Sequence, residues 1–540
     1  MCGEVESVSG PSGVEVRNPI LRGFHPDPSI VRVGPDYYIA NSTFEWFPGI
    51  RLHHSTDLAQ WRPAGYALAD PGALDLRGVP DSGGIWAPSL SYHDGRFWLV
   101  YAVVCTRVGP FKDLDVLLVT APSIDGPWTA PLHLGSGGFD PSIFHDEDGR
   151  HWLVNMTWDH RPDRPSFAGI VLHEIDPARG LVGARRLIHT HDELIEGPNL
   201  YRRDGWYYLM LAEGGTGWNH GISVVRSRDI AGPYEPDPHG PLLTSRDRED
   251  LSLQKAGHGE LVETGTGEWY LVHLASRPLT VDGERRCMLG RETCLQRLEW
   301  TAEGWPRLAH GDHWPRETVV VPASSEPAVS GPSWSRPSRD EFDTDRLSDE
   351  WNSLRQPVSE RWLSLTERPG WLRLRGRYSL HAHFGQSLIA QRLAHDRTVV
   401  TTAVQIRPEY PGQQAGLVCW YDTGTHFFLG VTTGDDGPFV VLAVSDLGVY
   451  AEHDTRIRPA LGALTHLRAT IDRDRLRFAV SHNGTDWTDV GQELDASVLS
   501  DDYGNSLRFT GAFVGLAAHD PVTGTLPADF SYFDHRELPA

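Results

Sequence analysis

Three acidic residues stand in similar short stretches of the chain, each close to a proline. Asp27 lies in Gly-Phe-His-Pro-Asp-Pro-Ser-Ile, Asp140 in Gly-Phe-Asp-Pro-Ser-Ile and Glu196 in Ile-Glu-Gly-Pro-Asn-Leu. One such acid alone would more often cap a turn or bind backbone amides. Three in matched settings instead suggest one site. Hydrolysis of a glycosidic bond uses one protonated acid and one carboxylate, and a third acid nearby raises the pKa of the first.

A repeat in the chain explains how these acids would meet. A turn followed by an aromatic strand recurs five times, at residues 35–39, 94–99, 148–153, 204–209 and 266–271. Another short apolar strand precedes each copy, and these strands begin at Asp27, Ala87, Asp140, Glu196 and His258. The first strand of every blade of a β-propeller lines the central axis, so equivalent strand starts converge at one end of it. The repeat therefore predicts a five-bladed β-propeller over residues 15–320.

The remaining two fifths of the chain, residues 321–540, have a different pattern. Residues 321–339 are rich in Pro and Ser without apolar periodicity, which predicts a linker. Beyond it, short alternating runs such as Trp371-Leu-Arg-Leu-Arg and an Asn483-Gly turn indicate strands at regular spacing. We therefore expect an antiparallel β-sandwich over residues 340–540 and an all-β protein overall.

Composition narrows the classes of partner. The formal net charge is −23, with 72 acidic against 49 basic residues, so most of the surface would repel nucleic acid and anionic lipid. The five cysteines are scattered without CxxC pairs, which suits a reducing compartment. No stretch has the length and apolar character of a membrane span or a signal peptide. These features predict a cytoplasmic protein with no nucleic acid or membrane partner; a homo-oligomer is left open.

Several motifs together resemble glycoside hydrolase family 43, in particular its two-domain β-xylosidases. They are His-Pro-Asp27-Pro-Ser, Ser42-Thr-Phe-Glu-Trp-Phe-Pro-Gly, Gly83-Gly-Ile-Trp-Ala-Pro, Phe-Asp140-Pro-Ser, Glu196-Gly-Pro, Gly290-Arg-Glu-Thr and Asp340-Glu-Phe-Asp. The resemblance spans nearly the whole chain. It implies a concanavalin A-like form for the sandwich.

The resemblance also implies a role for each acid. Asp27 would be the general base that activates water, Glu196 the general acid, and Asp140 the residue that orients and tunes Glu196. The implied enzyme is an exo-acting, inverting xylan 1,4-β-xylosidase, which releases xylose from the non-reducing end of xylo-oligosaccharides and requires no cofactor. The alternatives are an α-L-arabinofuranosidase, a bifunctional xylosidase/arabinofuranosidase and, from another class, a carbohydrate-binding propeller without catalysis.

Five further residues are candidates for substrate binding. Phe44 and Trp86 are predicted to pack against the apolar face of a pyranose, and Phe47 is a less favoured candidate for the same role. Each of the three could instead belong to the core. Arg291 could donate two hydrogen bonds to sugar hydroxyls and hold Asp27 ionised, or could form a structural salt bridge with Glu292 or another acid.

His258 starts the fifth blade and would lie on the axis. A lone histidine is more often structural. Related enzymes suggest that it binds a central water or ion, which leaves room for a hydrated calcium ion, although no cluster of metal ligands is evident in the sequence. In similar enzymes an aromatic of the second domain closes the pocket. Phe513 is the prediction for that position here, with Phe509 as its competitor.

Overall fold

The computed structural model describes residues 13–323 and 335–539, and within these ranges the regular structure is almost entirely β-strand. One 3₁₀ turn, Ala496–Val498, is the exception. The described part of the chain holds no helix with the length and apolar character needed to cross a membrane. The all-β prediction is confirmed.

Four four-stranded sheets and one five-stranded sheet, all antiparallel, form the five blades of a propeller, which confirms the predicted blade count. Blade 1 contains Ser29–Val33, Asp36–Asn41, Gly49–Ser55 and Arg62–Leu68; blade 2 contains Gly84–His93, Arg96–Val104, Leu114–Ala121 and Leu132–Gly135; blade 3 contains Ser142–His145, His151–Trp158, Phe167–Asp176 and Gly180–His189. Blade 4 contains Ile195–Arg203, Trp206–Glu213, Gly221–Ser227 and Glu235–Pro236, with Leu243–Thr244 also paired to its third strand; blade 5 contains Gln254–Glu263, Trp269–Ser276, Glu292–Trp300 and Pro306–Leu308. A short hairpin, Leu279–Val281 with Glu284–Arg286, projects from blade 5.

The tight turns of the repeat explain why the first two strands of a blade pair so regularly. Asp94 and Gly95 of blade 2, and Asp204 and Gly205 of blade 4, all have positive φ angles between 48° and 73°. Two consecutive left-handed residues form the type I′ turn whose twist matches that of paired strands, and Asp-Gly is a favoured sequence for it. The recurring Asp-Gly thus sets the hairpin register in these blades.

The two ends of the propeller segment meet. Gly13–Arg17 pairs with Thr318–Pro322 in a two-stranded antiparallel sheet, with Val16 opposite Val319. This pairing begins before residue 15 and extends past residue 320, so the strand includes the first residues of the segment predicted as a linker. Residues 324–334 of that segment lie outside the described residues.

The C-terminal part is an antiparallel β-sandwich of two eight-stranded sheets, as predicted. One sheet contains Arg339–Asp340, Leu363–Ser364, Leu372–Arg375, Arg397–Ile406, Thr465–Asp472, Arg475–Ser481, Thr488–Asp495 and Pro527–Glu537; the other contains Trp46–Phe47, Asn352–Leu354, Ser387–Arg392, Gln414–Asp422, Thr425–Gly434, Gly437–Asp446, Val449–Asp454 and Phe513–His519. Leu374 and Val404 of the first sheet share a buried core with Leu417 and Leu429 of the second. Alternating inward side chains of both sheets thus fill the sandwich.

One strand of the second sheet comes from the propeller. Trp46–Phe47, between the second and third strands of blade 1, pairs antiparallel with Asn352–Leu354 of the sandwich. Two buried arginines reinforce this junction, since Arg51 pairs with Glu350 and Arg355 with Asp81. The two domains are therefore joined by backbone and ionic contacts beside the propeller axis.

Candidate active site

At or near the start of the first strand of each blade lies a residue in the left-handed region of backbone space. These residues and their φ angles are Asp27 (49°), Ala87 (35°), Asp140 (52°), Gly197 (53°) and His258 (39°). Four of the five are not glycine, and such residues seldom adopt positive φ without a specific constraint. The five first strands therefore share one local conformation at the same end of the axis.

This repeat corrects one detail of the sequence prediction. The residue equivalent to Asp27 and Asp140 in blade 4 is Gly197, not Glu196, because Gly197 carries the positive φ and is followed by the matching proline, Pro198. Glu196 lies one residue earlier, where blade 2 has Trp86 and blade 3 has Phe139. The acid of blade 4 therefore approaches the axis from a different backbone position.

A cavity of about 430 Å³ lies at this end of the axis and brings the three predicted acids together. Asp27, Asp140 and Glu196 all line it, as do four of the five predicted binding residues: Phe44, Trp86, His258 and Arg291. A concave, largely apolar cavity with a few convergent polar groups is the usual form of a small-molecule site.

Two side chains donate hydrogen bonds to the carboxylate of Asp27. Arg291 Nη1 donates to Oδ1 at 2.7 Å, and the Ser42 hydroxyl donates to Oδ2 at 2.6 Å. Arg291 also donates to the Phe509 carbonyl oxygen at 3.0 Å, while Glu292 pairs with Arg277 instead. These two hydrogen bonds fix the orientation of the Asp27 carboxylate and place the permanent charge of Arg291 against it.

Glu196 and Asp140 have the opposite electrostatic setting. Burial, with the charge of Asp27, raises the pKa of Glu196 to about 7, although Lys112 and Arg291 act against this rise. Burial and the neighbouring Glu196 also raise the pKa of Asp140. Asp140 Oδ2 accepts a hydrogen bond from the Gly197 N–H at 3.1 Å and lies 3.9 Å from His258 Nδ1. The pair can hold a proton near neutral pH, and Asp140 fixes the backbone next to Glu196.

Aromatic rings from both domains form the cavity wall. The ring centroid of Trp86 lies 6.0 Å from Phe44 and 5.4 Å from Phe509, a residue of the sandwich. The prediction of Phe513 as the closing aromatic is wrong: its ring is fully buried and stacks on Trp46 at 4.0 Å, outside the cavity lining. Its competitor Phe509 occupies that position. Phe47 is also absent from the wall, because it belongs to the strand that pairs with the sandwich.

Several lining residues were not predicted. The ammonium of Lys112 lies 5.0 Å from the ring of Trp86, 4.8 Å from Phe139 and 4.4 Å from Trp158. Burial lowers the pKa of Lys112, while Glu196 raises it. Phe139 could have been found from the repeat, because it precedes Asp140 as Trp86 precedes Ala87. Lys112 lies in a loop with no periodic pattern, so the sequence carried no signal for it.

His220 is a second unpredicted residue of the cavity lining. It is buried, and neither ring nitrogen has a hydrogen-bond partner among the described residues. Burial, followed by the charges of His258 and Arg291, lowers its pKa well below the usual value. Its ring packs so closely on Gly257 that an added Cβ there would lie 2.3 Å from it. His220 is thus a neutral side chain with hydrogen-bonding capacity that a polar ligand can satisfy.

A smaller cavity of about 20 Å³ continues along the axis. Its lining includes His258 and oxygen-bearing side chains, among them Ser29, Ser89, Asn199 and Glu260. Calcium prefers such oxygen ligands, but the volume accommodates only one water-sized species. The Ser29 hydroxyl already donates to Glu260 Oε2 at 2.6 Å. The residues suit a water or a single ion better than a hydrated ion, and calcium at the axis stays a prediction.

Comparisons with known proteins agree with these features. Residues 16–306 match the family model for glycosyl hydrolases family 43, and residues 339–536 match that for the beta xylosidase C-terminal concanavalin A-like domain. The chain is 43% identical to a xylan 1,3-beta-xylosidase of a Vibrio species, with 97% of this chain and 99% of that protein covered. It is 44% identical to xylosidase/arabinosidase 43B of Humicola insolens, with 97% and 98% covered. The crystal structure of a xylan beta-1,4-xylosidase from Bacillus halodurans C-125 superimposes with a TM-score of 0.93, at 48% identity over 97% of this chain and 100% of that one.

Proposed function

Because the chain belongs to glycosyl hydrolase family 43, we propose that it is an exo-acting, inverting β-xylosidase that releases xylose from the non-reducing end of β-1,4-linked xylo-oligosaccharides. The observation that carries the proposal is the grouping of three buried carboxyl groups around one aromatic-walled cavity, with Arg291 held against Asp27. A non-catalytic binding module would not need two acids with raised pKa values beside a third that is paired with arginine.

In the proposed mechanism, Asp27 removes a proton from a water molecule that attacks the anomeric carbon. Glu196 donates its proton to the leaving glycosidic oxygen, which its raised pKa allows near neutral pH. Asp140 holds the Gly197 N–H and, through like-charge repulsion, helps Glu196 to stay protonated. Inversion requires room for the water between base and acid, so the two carboxyl groups should act from opposite faces of the sugar.

Specificity for a terminal sugar would come from the wall that the two domains build together. Phe44 and Trp86 of the propeller and Phe509 of the sandwich offer apolar faces to the C–H groups of a pyranose. Leu507 and Phe509 come from the sandwich, so a longer chain would have to avoid that domain. We therefore propose cleavage one sugar at a time from one end.

Hydrolysis of xylotriose labelled at its reducing end tests the proposal directly. We expect unlabelled xylose and labelled xylobiose as first products, and NMR of the fresh product should show α-xylose, as inversion of a β-linkage requires. Initial β-xylose would contradict the roles of Asp27 and Glu196, while labelled xylose as first product would contradict the end preference. An absence of hydrolysis of any glycoside would favour the binding-module alternative.

The names of two relatives point to two alternative substrates: an α-L-arabinofuranoside and a β-1,3-linked xylo-oligosaccharide. The Humicola protein is named a xylosidase/arabinosidase, and the Vibrio protein a xylan 1,3-beta-xylosidase. Parallel rates on nitrophenyl β-xyloside and α-L-arabinofuranoside, and on β-1,4- and β-1,3-linked xylobiose, separate these options. A much larger kcat/KM on the arabinofuranoside or on the β-1,3 disaccharide would replace the proposed substrate.

A further inference from the structure

Three histidines meet at the end of the propeller opposite the candidate active site. His93 ends the first strand of blade 2, His145 ends the first strand of blade 3, and His151 begins the next strand of blade 3. One ring nitrogen of each lies within 4.8 Å of one from both others, and the Nδ1 atoms of His145 and His151 are 2.9 Å apart. The first strands start at the catalytic cavity, so this cluster is separated from it by their length.

The spacing suits a metal ion held by imidazole. In a tetrahedral site with Zn–N bonds of about 2.0–2.1 Å, ligand nitrogens lie roughly 3.3 Å from one another. The 2.9 Å between the Nδ1 atoms of His145 and His151 is close to that value, and all three histidines offer a ring nitrogen within 4.8 Å of the others. The rings of His93 and His145 stack at 4.5 Å, and those of His145 and His151 meet nearly at right angles at 4.9 Å, so the three rings form one compact cluster.

Neighbouring groups fix the rings in the way that supporting residues of metal sites do. The Ser91 hydroxyl lies 2.9 Å from His145 Nε2, which leaves Nδ1 facing His151. Asp94 lies 3.4 Å from His93 Nε2. The ring of Trp98 packs against His145 at 5.0 Å and against His151 at 4.9 Å.

We infer that His93, His145 and His151 form a binding site for a divalent transition-metal ion of the zinc class, which links blade 2 to blade 3. Imidazole nitrogen is a preferred ligand of zinc, nickel and copper, whereas calcium and magnesium prefer oxygen. All three histidines are only partly buried, so an ion can enter from solvent and complete its coordination with water. Because the two blades are bound to the same ion only when folded, binding should stabilise the propeller.

Zinc titration of the metal-free full chain tests the inference. We expect wild type to bind one more equivalent of Zn²⁺ than His151→Ala or His93→Ala, by calorimetry and by metal analysis after dialysis. His133→Ala is the matched control, because His133 is an exposed histidine of blade 2 whose ring contacts Asp115 instead of other histidines. The control should bind as wild type does.

Two further readouts distinguish this site from scattered surface binding. Co²⁺ should give the visible absorption of a tetrahedral nitrogen site in wild type and in His133→Ala, and should not do so in the two cluster variants. Zn²⁺ should raise the Tm of the same two proteins only. Retention of the additional equivalent by either His151→Ala or His93→Ala would overturn the three-histidine site, as would an equal Tm rise in all four proteins.

Discussion

The three acids of the cavity differ in their neighbours more than in their positions. Asp27 is held by hydrogen bonds from Arg291 and Ser42. Burial and the neighbouring Asp27 raise the pKa of Glu196, which favours its protonated form. The two carboxyl groups therefore have different surroundings within one cavity, as the proposed base and acid need.

The pH dependence of hydrolysis should follow the pKa of Glu196. The proposed acid works only when protonated, and its pKa is raised to about 7 in the folded protein, so kcat/KM on xylobiose should fall about tenfold per pH unit above that pH. A pH–rate profile measures this limb. Because Asp140 and Glu196 repel each other when both are charged, Asp140→Asn should move the limb to lower pH.

A comparison of two substrates whose leaving groups differ in their need for a proton is the control for this prediction. Glu196→Ala should lose most of its kcat/KM on xylobiose, by about 10²–10⁴-fold, and much less on nitrophenyl β-xyloside, whose phenolate leaves without a proton. Equal losses on the two substrates, or an alkaline limb that persists in Glu196→Ala, would remove Glu196 from the role of acid.

At the scale of elements, the blade starts show what the sequence could and could not reveal. The repeated turn and aromatic strand made the blade count and the convergence of Asp27 and Asp140 predictable. The sequence prediction aligns Glu196 with Asp140 because both are acids, whereas in the structure the positive φ and the following proline belong to Gly197. Proline fixes backbone geometry and an acid does not, so proline was the better guide to register.

The wall from the sandwich was harder to predict because it depends on contact between domains. Phe509 and Phe513 are close in sequence, and no local pattern separates them. Phe513 opens a strand of the sheet that Trp46–Phe47 joins, and this pairing buries its ring against Trp46. Phe509 lies before that strand and reaches the cavity. Lys112 escaped prediction for a similar reason, since its aromatic neighbours belong to two blades: Trp86 to blade 2, and Phe139 and Trp158 to blade 3.

Paired substitutions of the two phenylalanines should separate stability from activity. Phe513→Ala removes a fully buried ring and should cost about 3–5 kcal/mol of unfolding free energy. Phe509→Ala removes part of the cavity wall and should lower kcat/KM on xylobiose, mainly through KM, with a smaller loss of stability. Denaturant unfolding and steady-state kinetics measure the two effects. If Phe513→Ala raised KM while Phe509→Ala left KM unchanged, Phe513 and not Phe509 would be the aromatic that closes the cavity.

At the scale of the whole molecule, the two domains share buried structure. Trp46–Phe47 completes a sandwich sheet, and Arg355 reaches into the propeller, where its Nε donates to the Val79 carbonyl at 2.6 Å and its Nη2 pairs with Asp81. Glu45 lies beside this pair, and burial raises its pKa to about 7. The catalytic wall thus depends on an interface that resembles a core, and the domains should unfold together.

Calorimetry of wild type should therefore show one unfolding transition, and Arg355→Ala should weaken the junction. The substitution removes the cation that faces Asp81 and Glu45 and leaves these buried acidic groups without a partner charge, a change that typically costs about 3–5 kcal/mol of unfolding free energy.

Arg77→Ala is the control, because the Arg77–Asp75 pair is exposed and its loss should leave the midpoint temperature of unfolding unchanged. We expect Arg355→Ala to lower the midpoint or split the transition, and to reduce activity, because the Phe509 N–H donates to the hydroxyl of Ser82, the residue next to Asp81. Two separate transitions in wild type, or equal midpoints for the two variants, would show that the domains are stable independently and that the wall is held by other contacts.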